Sequence, residues 1–385
     1  MAENTGLKEA KAAKKDEFYT QMDDIAAEMW HYKQYFDGAT ILCNCDDPFE
    51  SNFFKYFALN FHNFGLKKLI ATCYDGSPVA GQELSFDELK SMESSERKAY
   101  KIELTDIPDM NGDGTFDLSD IEAFLKSDKC PIQELEGNGD FRSEECIDLL
   151  KKADIVVTNP PFSLFREYVS KLLEYQKKFI IIGNINAVTY KEIFPLIKEN
   201  KIWIGVSIHS GDRKFYVPDN YPLKAAGCGI DSDGRRYIRV KGIRWYTNLD
   251  IEQRHEELIL YKHYSPEEYP NYFNYDGIDV STTSDIPCDY AGIMGVPITF
   301  LDVYNPEQFE IIGGSPTVEK KFIHMVTENK KTIQYIDRVT GEVKWTFPYS
   351  VSERKIGNGL RIEKDGKPST SPYWRILIRN KFPKK

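Results

Sequence analysis

DIVVTNPPF, running from Asp154 to Phe162, is the stretch on which the fold turns. Ile155, Val156, Val157 and Thr158 form an unbroken β-branched run, the mark of a short strand buried on both faces. Asn159-Pro160-Pro161 then ends it, because proline offers no backbone donor and biases the residue before it toward extended geometry. Beyond the prolines, Leu164 to Tyr175 places Leu164, Phe165, Tyr168, Val169, Leu172 and Leu173 on one helical side. Working outward, TILCNC (Thr40 to Cys45), KKLIATC (Lys67 to Cys73), FIII (Phe179 to Ile182) and IWIGVSI (Ile202 to Ile208) read as further strands. Helical patterns at residues 52–62, 143–151 and 190–198 alternate with them. Such alternation predicts an α/β fold with a parallel sheet covered on both faces. Ligands of such sheets bind beyond the carboxyl ends of the strands, near the topological switch point. The residues to inspect for chemistry therefore follow Cys45, Cys73 and Thr158.

The Asn-Pro-Pro-Phe turn has a specific chemical use. A stiff exit from the sheet leaves the Asn159 side-chain oxygen and the Pro160 carbonyl as two fixed acceptors. An aromatic amine is flat, with its lone pair delocalised into the ring. Two acceptors on its two hydrogens favour a pyramidal, nucleophilic nitrogen and stabilise the positive charge that grows during attack. Phe162 offers a ring face for stacking. The motif alone admits several planar nitrogens: adenine in DNA, a base in RNA, or the amide of protein glutamine. Its bland alternative is an ordinary strand-ending turn with a packed Phe.

Composition narrows the field. The 385 residues are 41% hydrophobic and 13% aromatic, enough for a packed interior and long enough for one large region plus a smaller one. No apolar run reaches membrane-spanning length and no signal peptide opens the chain, so a cytoplasmic location without membrane contact is expected. The seven cysteines are scattered and include no CxxC, so reduced thiols are expected. The net charge of -10 argues against bulk attraction to nucleic acid, so local basic stripes matter more than the sum. Arg235, Arg236, Arg239, Lys241 and Arg244 form one such run without a carboxylate among them. The C-terminal stretch forms another, with Arg375, Arg379, Lys381, Lys384 and Lys385. After about Tyr216 the alternation gives way to short strands and Tyr- and Pro-rich turns, including Thr332 to Ile336 and Val343 to Phe347.

Several longer blocks carry a resemblance: DEFYTQ (Asp16 to Gln21), CNCDDP (Cys43 to Pro48) running into SNFFKYFA, and GDFRS (Gly139 to Ser143). With them go DIVVTNPPFSLFREY (Asp154 to Tyr168), GVPITFL (Gly295 to Leu301), NPEQFE (Asn305 to Glu310) and PYWRILIRNK (Pro372 to Lys381). In this order, interrupted around residues 76–136 and 313–371, the chain resembles the EcoRI-type adenine-specific DNA modification methyltransferases. The resemblance implies a Rossmann-like, S-adenosylmethionine-dependent methyltransferase sheet with a smaller C-terminal target-recognition region. Residues 1–15 would then be a flexible basic tail and 16–218 the catalytic domain, with an insertion at about 76–136. Residues 219–385 would form the target-recognition and C-terminal region. The substrate would be adenine N6 in double-stranded DNA, flipped out of the stack to be reached. The resemblance further implies a restriction-modification or solitary modification role. A monomer is expected, with any cognate endonuclease forming no stable complex. The family's namesake reads GAATTC.

The same resemblance assigns residues. Phe18, Tyr19 and Thr20 would border the methionine end of the cofactor, with Thr20 bonding its carboxylate. Cys45, Asp46 and Asp47, followed by Pro48, stand where the family's first cofactor loop belongs, although no Gly-x-Gly run is present. Asp46 or Asp47 as ligand competes with a loop-capping role. Asp75, after the second strand, is a candidate for the ribose. Asp140 would accept from the cofactor adenine while Phe141 packs on its ring. Phe215 stands where related enzymes place a second aromatic against the flipped base, with a core Phe as the alternative. Arg235, Arg236, Arg239, Lys241 and Arg244 would contact DNA. Separately, Asp109, Asn111, Asp113, Thr115, Asp117 and Asp120 match the spacing of a calcium loop. Against that reading, Asp replaces the usual final Glu and the preceding YKIELT reads as strand. An Asp/Asn-rich turn with a capped helix is the competing reading.

Overall fold

A computed structural model of the chain describes residues 20–49, 51–74, 99–209, 211–217, 223, 227–272, 274–315, 322–326, 332–348, 360–364, 367–370 and 373–384. It is a mixed α/β protein of two compact units. The first holds the described residues up to Ala187 together with Ile202–Ile251, and the second holds Val188–Lys201 with the described residues from Glu252 onward.

The first unit is built on four parallel strands: β1 (Thr40–Cys43), β2 (Lys68–Cys73), β5 (Ile155–Thr158) and β6 (Lys178–Asn184), side by side in the order β2-β1-β5-β6. The chain moves from β1 outward to β2, then returns to β5 on the other side of β1, so the switch point lies between β1 and β5. The wholly parallel sheet expected from sequence is corrected at both margins. β3 (Tyr100–Leu104) and β4 (Ile132–Glu134) add antiparallel beyond β2, while β11 (Ile243–Thr247) and β7 (Trp203–Ile204) add antiparallel beyond β6. In β3, Tyr100, Ile102 and Leu104 point inward while Lys101 and Glu103 face out, the period-two pattern of a strand with one wet face. β8 (Asp212–Tyr216), β10 (Arg236–Lys241) and β9 (Gly229–Ile230) form a separate antiparallel sheet.

Side chains alternate across the central strands. Ile41, Cys43, Leu69, Ala71, Ile155, Val157, Ile180 and Ile182 join Phe53, Phe54 and Phe57 of α2 (Asn52–Leu59) in one core. Leu42, Val156 and Ile181 face the other way, toward the side covered by α4 (Glu144–Lys152) and α5 (Phe165–Glu174). Before β1 comes α1 (Met22–Met29), which buries Glu28 along with Ile25 and Met29. That buried carboxylate explains a second departure. IWIGVSI is extended only at Trp203–Ile204, because the backbone N–H groups of Val206 and Ser207 donate to Glu28 at 3.0 and 2.7 Å instead of to a strand. α3 (Leu118–Leu125) follows β3.

In the second unit, α6 (Phe194–Lys198) starts later than expected, with Pro195 in its first turn. Its main sheet runs β12 (Ile278–Asp279), β13 (Met294–Pro297), β20 (Arg375–Asn380), β14 (Phe309–Gly314). The strand-like pieces read after Gly313 are realised as a meander of β15 (Phe322–Val326), β16 (Thr332–Asp337) and β17 (Val343–Pro348), followed by a hairpin of β18 (Arg361–Lys364) and β19 (Lys367–Thr370).

Candidate active site

β5 delivers Thr158 and Asn159, both buried, to the carboxyl edge of the sheet at the switch point. Pro161 continues extended (φ -54°, ψ 123°), and a single 3-10 turn over Phe162–Leu164 leads into α5. The Phe162 ring is half-buried, packed along the core of the first unit. From the neighbouring strand, the loop after β1 brings Asp46 against this turn. One Asp46 oxygen accepts the Ser51 hydroxyl at 2.8 Å; the other accepts the Thr158 hydroxyl, and the Asn159 backbone N–H also donates to the carboxylate. Burial pushes the Asp46 carboxyl up to about 6, against the pull of those three donors.

Asp47 is engaged on the opposite side of the loop. It accepts the Phe49 N–H at 2.9 Å, the Cys73 thiol at 3.0 Å and the Tyr100 hydroxyl at 3.0 Å, tying the loop to β2 and β3. Burial and that carboxylate hold the Tyr100 phenol far above its ordinary range, so it remains a donor. Asp46 and Asp47 therefore act as internal staples, the loop-capping alternative, and both are more than nine-tenths buried. Asn44, between β1 and Cys45, accepts the Tyr168 hydroxyl from α5, and the Phe141 ring meets Tyr168 edge-on at 5.0 Å. Gly139 (φ +73°) lets GDF pass so close to the end of β2 that a Cβ would lie 2.4 Å from the Cys73 carbonyl oxygen. Asp140 is bound by Arg142, whose Nε donates to it at 2.8 Å and whose guanidinium also meets Glu167 and the Phe141 ring.

An orphan donor supports a cofactor at this edge. Thr20 is buried at 4% exposure; its carbonyl holds Asn52 Nδ2 at 2.6 Å, beside the loop after β1, while its hydroxyl has no partner among the described residues. A hydroxyl in that state fits the carboxylate that Thr20 is expected to bind. Phe18, Tyr19 and Asp75 lie outside the described residues. Of the residues the site draws together, Ser51, Tyr100, Thr158 and Tyr168 are not singled out by sequence; their partners across the sheet show their roles.

Comparison with known proteins shows the family of the chain. Residues 6–381 match the family described as "Adenine-specific methyltransferase EcoRI". The chain belongs to that family. It is 50% identical over 322 residues to the Type II methyltransferase M.EcoRI of Escherichia coli, covering 83% of this chain and 92% of that protein. It is 39% identical over 309 residues to the Type II methyltransferase M.MpnI of Mycoplasma pneumoniae, 79% of this chain and 83% of that one. No solved structure matches. The protein is thus an adenine-specific DNA methyltransferase that uses S-adenosylmethionine.

The remaining expected residues of this methyltransferase differ in burial and partners. Phe215 lies on β8 opposite Ile238 and is 1% exposed within the core. Arg244 is likewise buried in β11, donating to the carbonyls of Ile243 (2.8 Å) and His209, which makes it a structural guanidinium. Arg235 is exposed but pairs with Asp231 and Asp233, carboxylates that precede the basic run, and stacks over Tyr216 at 4.1 Å. Arg236 is half-buried, whereas Arg239 and Lys241 point outward from β10. The Asp109–Asp120 loop follows its capped-turn reading. Asp109, Asn111, Asp113, Asp117 and Asp120 each accept from backbone N–H groups of the loop, and Asp117 with Asp120 forms a capping box on α3. Thr115 donates its own N–H to Asp113 at 2.7 Å. Among the described residues no helix is long and apolar enough to cross a membrane.

Proposed function

We propose that Asn159 and Pro160 hold the exocyclic amine of a flipped adenine at the carboxyl edge of β5, and that Phe162 stacks on its ring. The observation carrying this reading is the convergence of the Asn-Pro-Pro turn with the loop after β1 at the switch point of a parallel sheet. The Asn159 side-chain oxygen and the Pro160 carbonyl each accept one amine hydrogen. Nitrogen then turns pyramidal, and its growing positive charge meets two oriented dipoles where water is excluded. Phe162, half-buried against the core, would stack on the base. S-adenosylmethionine, when bound, supplies an electrophilic methyl group on a positively charged sulfur. Thr20 would hold its carboxylate, with Phe141 and Asp140 at its adenine and the Cys45–Asp47 loop beneath. The sheet is then a Rossmann-like methyltransferase core, in keeping with its order and switch point. Residues 16–218 would supply the chemistry and 219–385 the target recognition. Arg239 and Lys241 are the basic residues best disposed for phosphate, and a restriction-modification role follows from the relatives.

The test is Asn159→Ala, read by methylation of genomic DNA from a methylation-deficient host and by binding of S-adenosylmethionine. The expected outcome is a loss of turnover of at least about 10²–10³-fold with folding and cofactor affinity kept. Turnover near the parent's would refute the reading. Long-read mapping of modified bases in cells expressing the chain gives the target sequence and strand together.

A further inference from the structure

We infer that Asp46 is a positioning residue for the Asn-Pro-Pro turn, fixing through Thr158 and the Asn159 backbone the direction in which the Asn159 side chain meets the target amine. The inference rests on the role proposed for Asn159 and adds a residue that neither the turn's own sequence nor the cofactor assignment provides.

The argument begins with what holds Asn159. β1 pairs with β5 at Ile41–Ile155 and Leu42–Val156 and ends at Cys43, while β6 pairs with β5 through Thr158–Ile181. The ladder pairing of β5 ends at Thr158, and Pro160 and Pro161 have no N–H with which to anchor the backbone beyond it. The Asn159 N–H is thus the last backbone donor before the rod, and Asp46 takes it. The same carboxylate takes the Thr158 hydroxyl one residue earlier, so two consecutive residues are gripped from one point on the neighbouring strand's loop. Its other oxygen is fixed in turn by Ser51, whose hydroxyl accepts the Phe53 N–H at 3.1 Å and caps α2. Asp46, Ser51 and Thr158 are all more than nine-tenths buried. A ligand of the cofactor needs an accessible oxygen, whereas both oxygens of Asp46 already carry protein donors. An anion is suited to this task because it accepts from three donors at once, with the strength of charge-assisted bonds. Its titratable neighbours are Asp47 and Cys45 in the same loop, Cys43 of β1 and Tyr168 of α5; none of these is a cation. Protonation in mildly acidic solution would therefore slacken the grip on the turn.

The experiment is Asp46→Asn in the full chain, with kcat and KM measured on methylation-free genomic DNA from pH 5 to 8 and S-adenosylmethionine affinity measured by titration. The expected result is a tenfold or greater fall in kcat with cofactor Kd within threefold of the parent. The parent's kcat/KM should show an acid limb with its midpoint near pH 6, and the variant should lack it. Thr158→Val, which removes one donor only, should reproduce part of the rate loss, and Thr158→Ser should restore it. A tenfold loss of cofactor affinity with kcat intact would make Asp46 a ligand and overturn the inference. So would full kcat and an unchanged acid limb in both Asp46→Asn and Thr158→Val. Should Asn159→Ala be inactive while these variants keep full rate, only this inference fails; an active Asn159→Ala removes the role of the turn itself.

Discussion

Individual oxygen atoms decide what this site can do, and Asp46 shows the energetic cost of arranging them. Its folded-state value of about 6 lies above the ordinary 3.8, so the native protein binds this proton more tightly than the unfolded chain does. The Asp46 contribution to stability is therefore greatest below pH 4, falls as pH rises from about 4 to 6, and is flat above. The shift corresponds to about 3 kcal/mol lost at neutral pH. Asp46→Asn removes the charge but accepts less well from Thr158 and Asn159, so a net gain of about 1–2 kcal/mol at pH 8 is expected by urea denaturation. A more stable and less active variant is the signature of a residue kept for function. Destabilisation at pH 8 would show that the three hydrogen bonds outweigh desolvation. The reach of local sequence is visible here. DIVVTNPPF is legible because a β-branched run, two prolines and an acceptor Asn each constrain the backbone where they stand. Asp46 is legible only as an acid after a strand; its partner Thr158 lies 112 residues away, and no local pattern joins them. The burial of Phe215 and Arg244 is illegible for the same reason, since a strand position does not tell which face the rest of the fold covers.

Among the elements, α1 and the segment after β7 share the most consequential link. The Glu28 carboxylate, fully buried, accepts the N–H groups of Val206 and Ser207 and the Tyr32 hydroxyl at 2.9 Å. Burial and the carboxylate hold the Tyr32 phenol well above its ordinary range, so it stays a donor at any pH the fold survives. Glu28→Ala leaves two backbone donors without an acceptor in the interior and should cost about 3 kcal/mol. Accelerated hydrogen exchange at Val206 and Ser207, with β6 unaffected, would locate the damage. Protection unchanged at those two amides would mean that the segment is held by its apolar side chains instead. This link also shows why IWIGVSI misleads as sequence. Its composition suits a strand throughout, but a buried carboxylate from residue 28 competes for its donors. The central strands gave no such conflict, because apolar composition and ladder pairing point the same way there.

On the scale of the whole protein, a net charge of -10 must be reconciled with a polyanionic substrate. The reconciliation lies in which cations are left facing outward. In the second unit Arg375 is buried against Asp279, at 3.0 Å, and Arg379 meets Glu310 at 3.3 Å, while Lys381 and Lys384 are exposed. In the first unit Arg235 is paired and Arg244 buried, whereas Arg239 and Lys241 are exposed on β10. DNA affinity should therefore rest on few phosphate contacts and fall gently with salt. Each contact adds about 0.9 to the slope of log K against log salt. Arg239→Ala and Lys241→Ala should each flatten that slope by about one and weaken binding alike on cognate and unrelated duplexes, as measured by fluorescence anisotropy across a salt series. Arg244→Ala should behave differently. It removes donors from two backbone carbonyls inside the sheet, so thermal stability should drop by about 1–3 kcal/mol with the salt slope unchanged. A flattened slope in a normally stable Arg244→Ala would show that the buried guanidinium turns outward to meet DNA, and an unchanged slope in the two β10 variants would move the phosphate track off this strand.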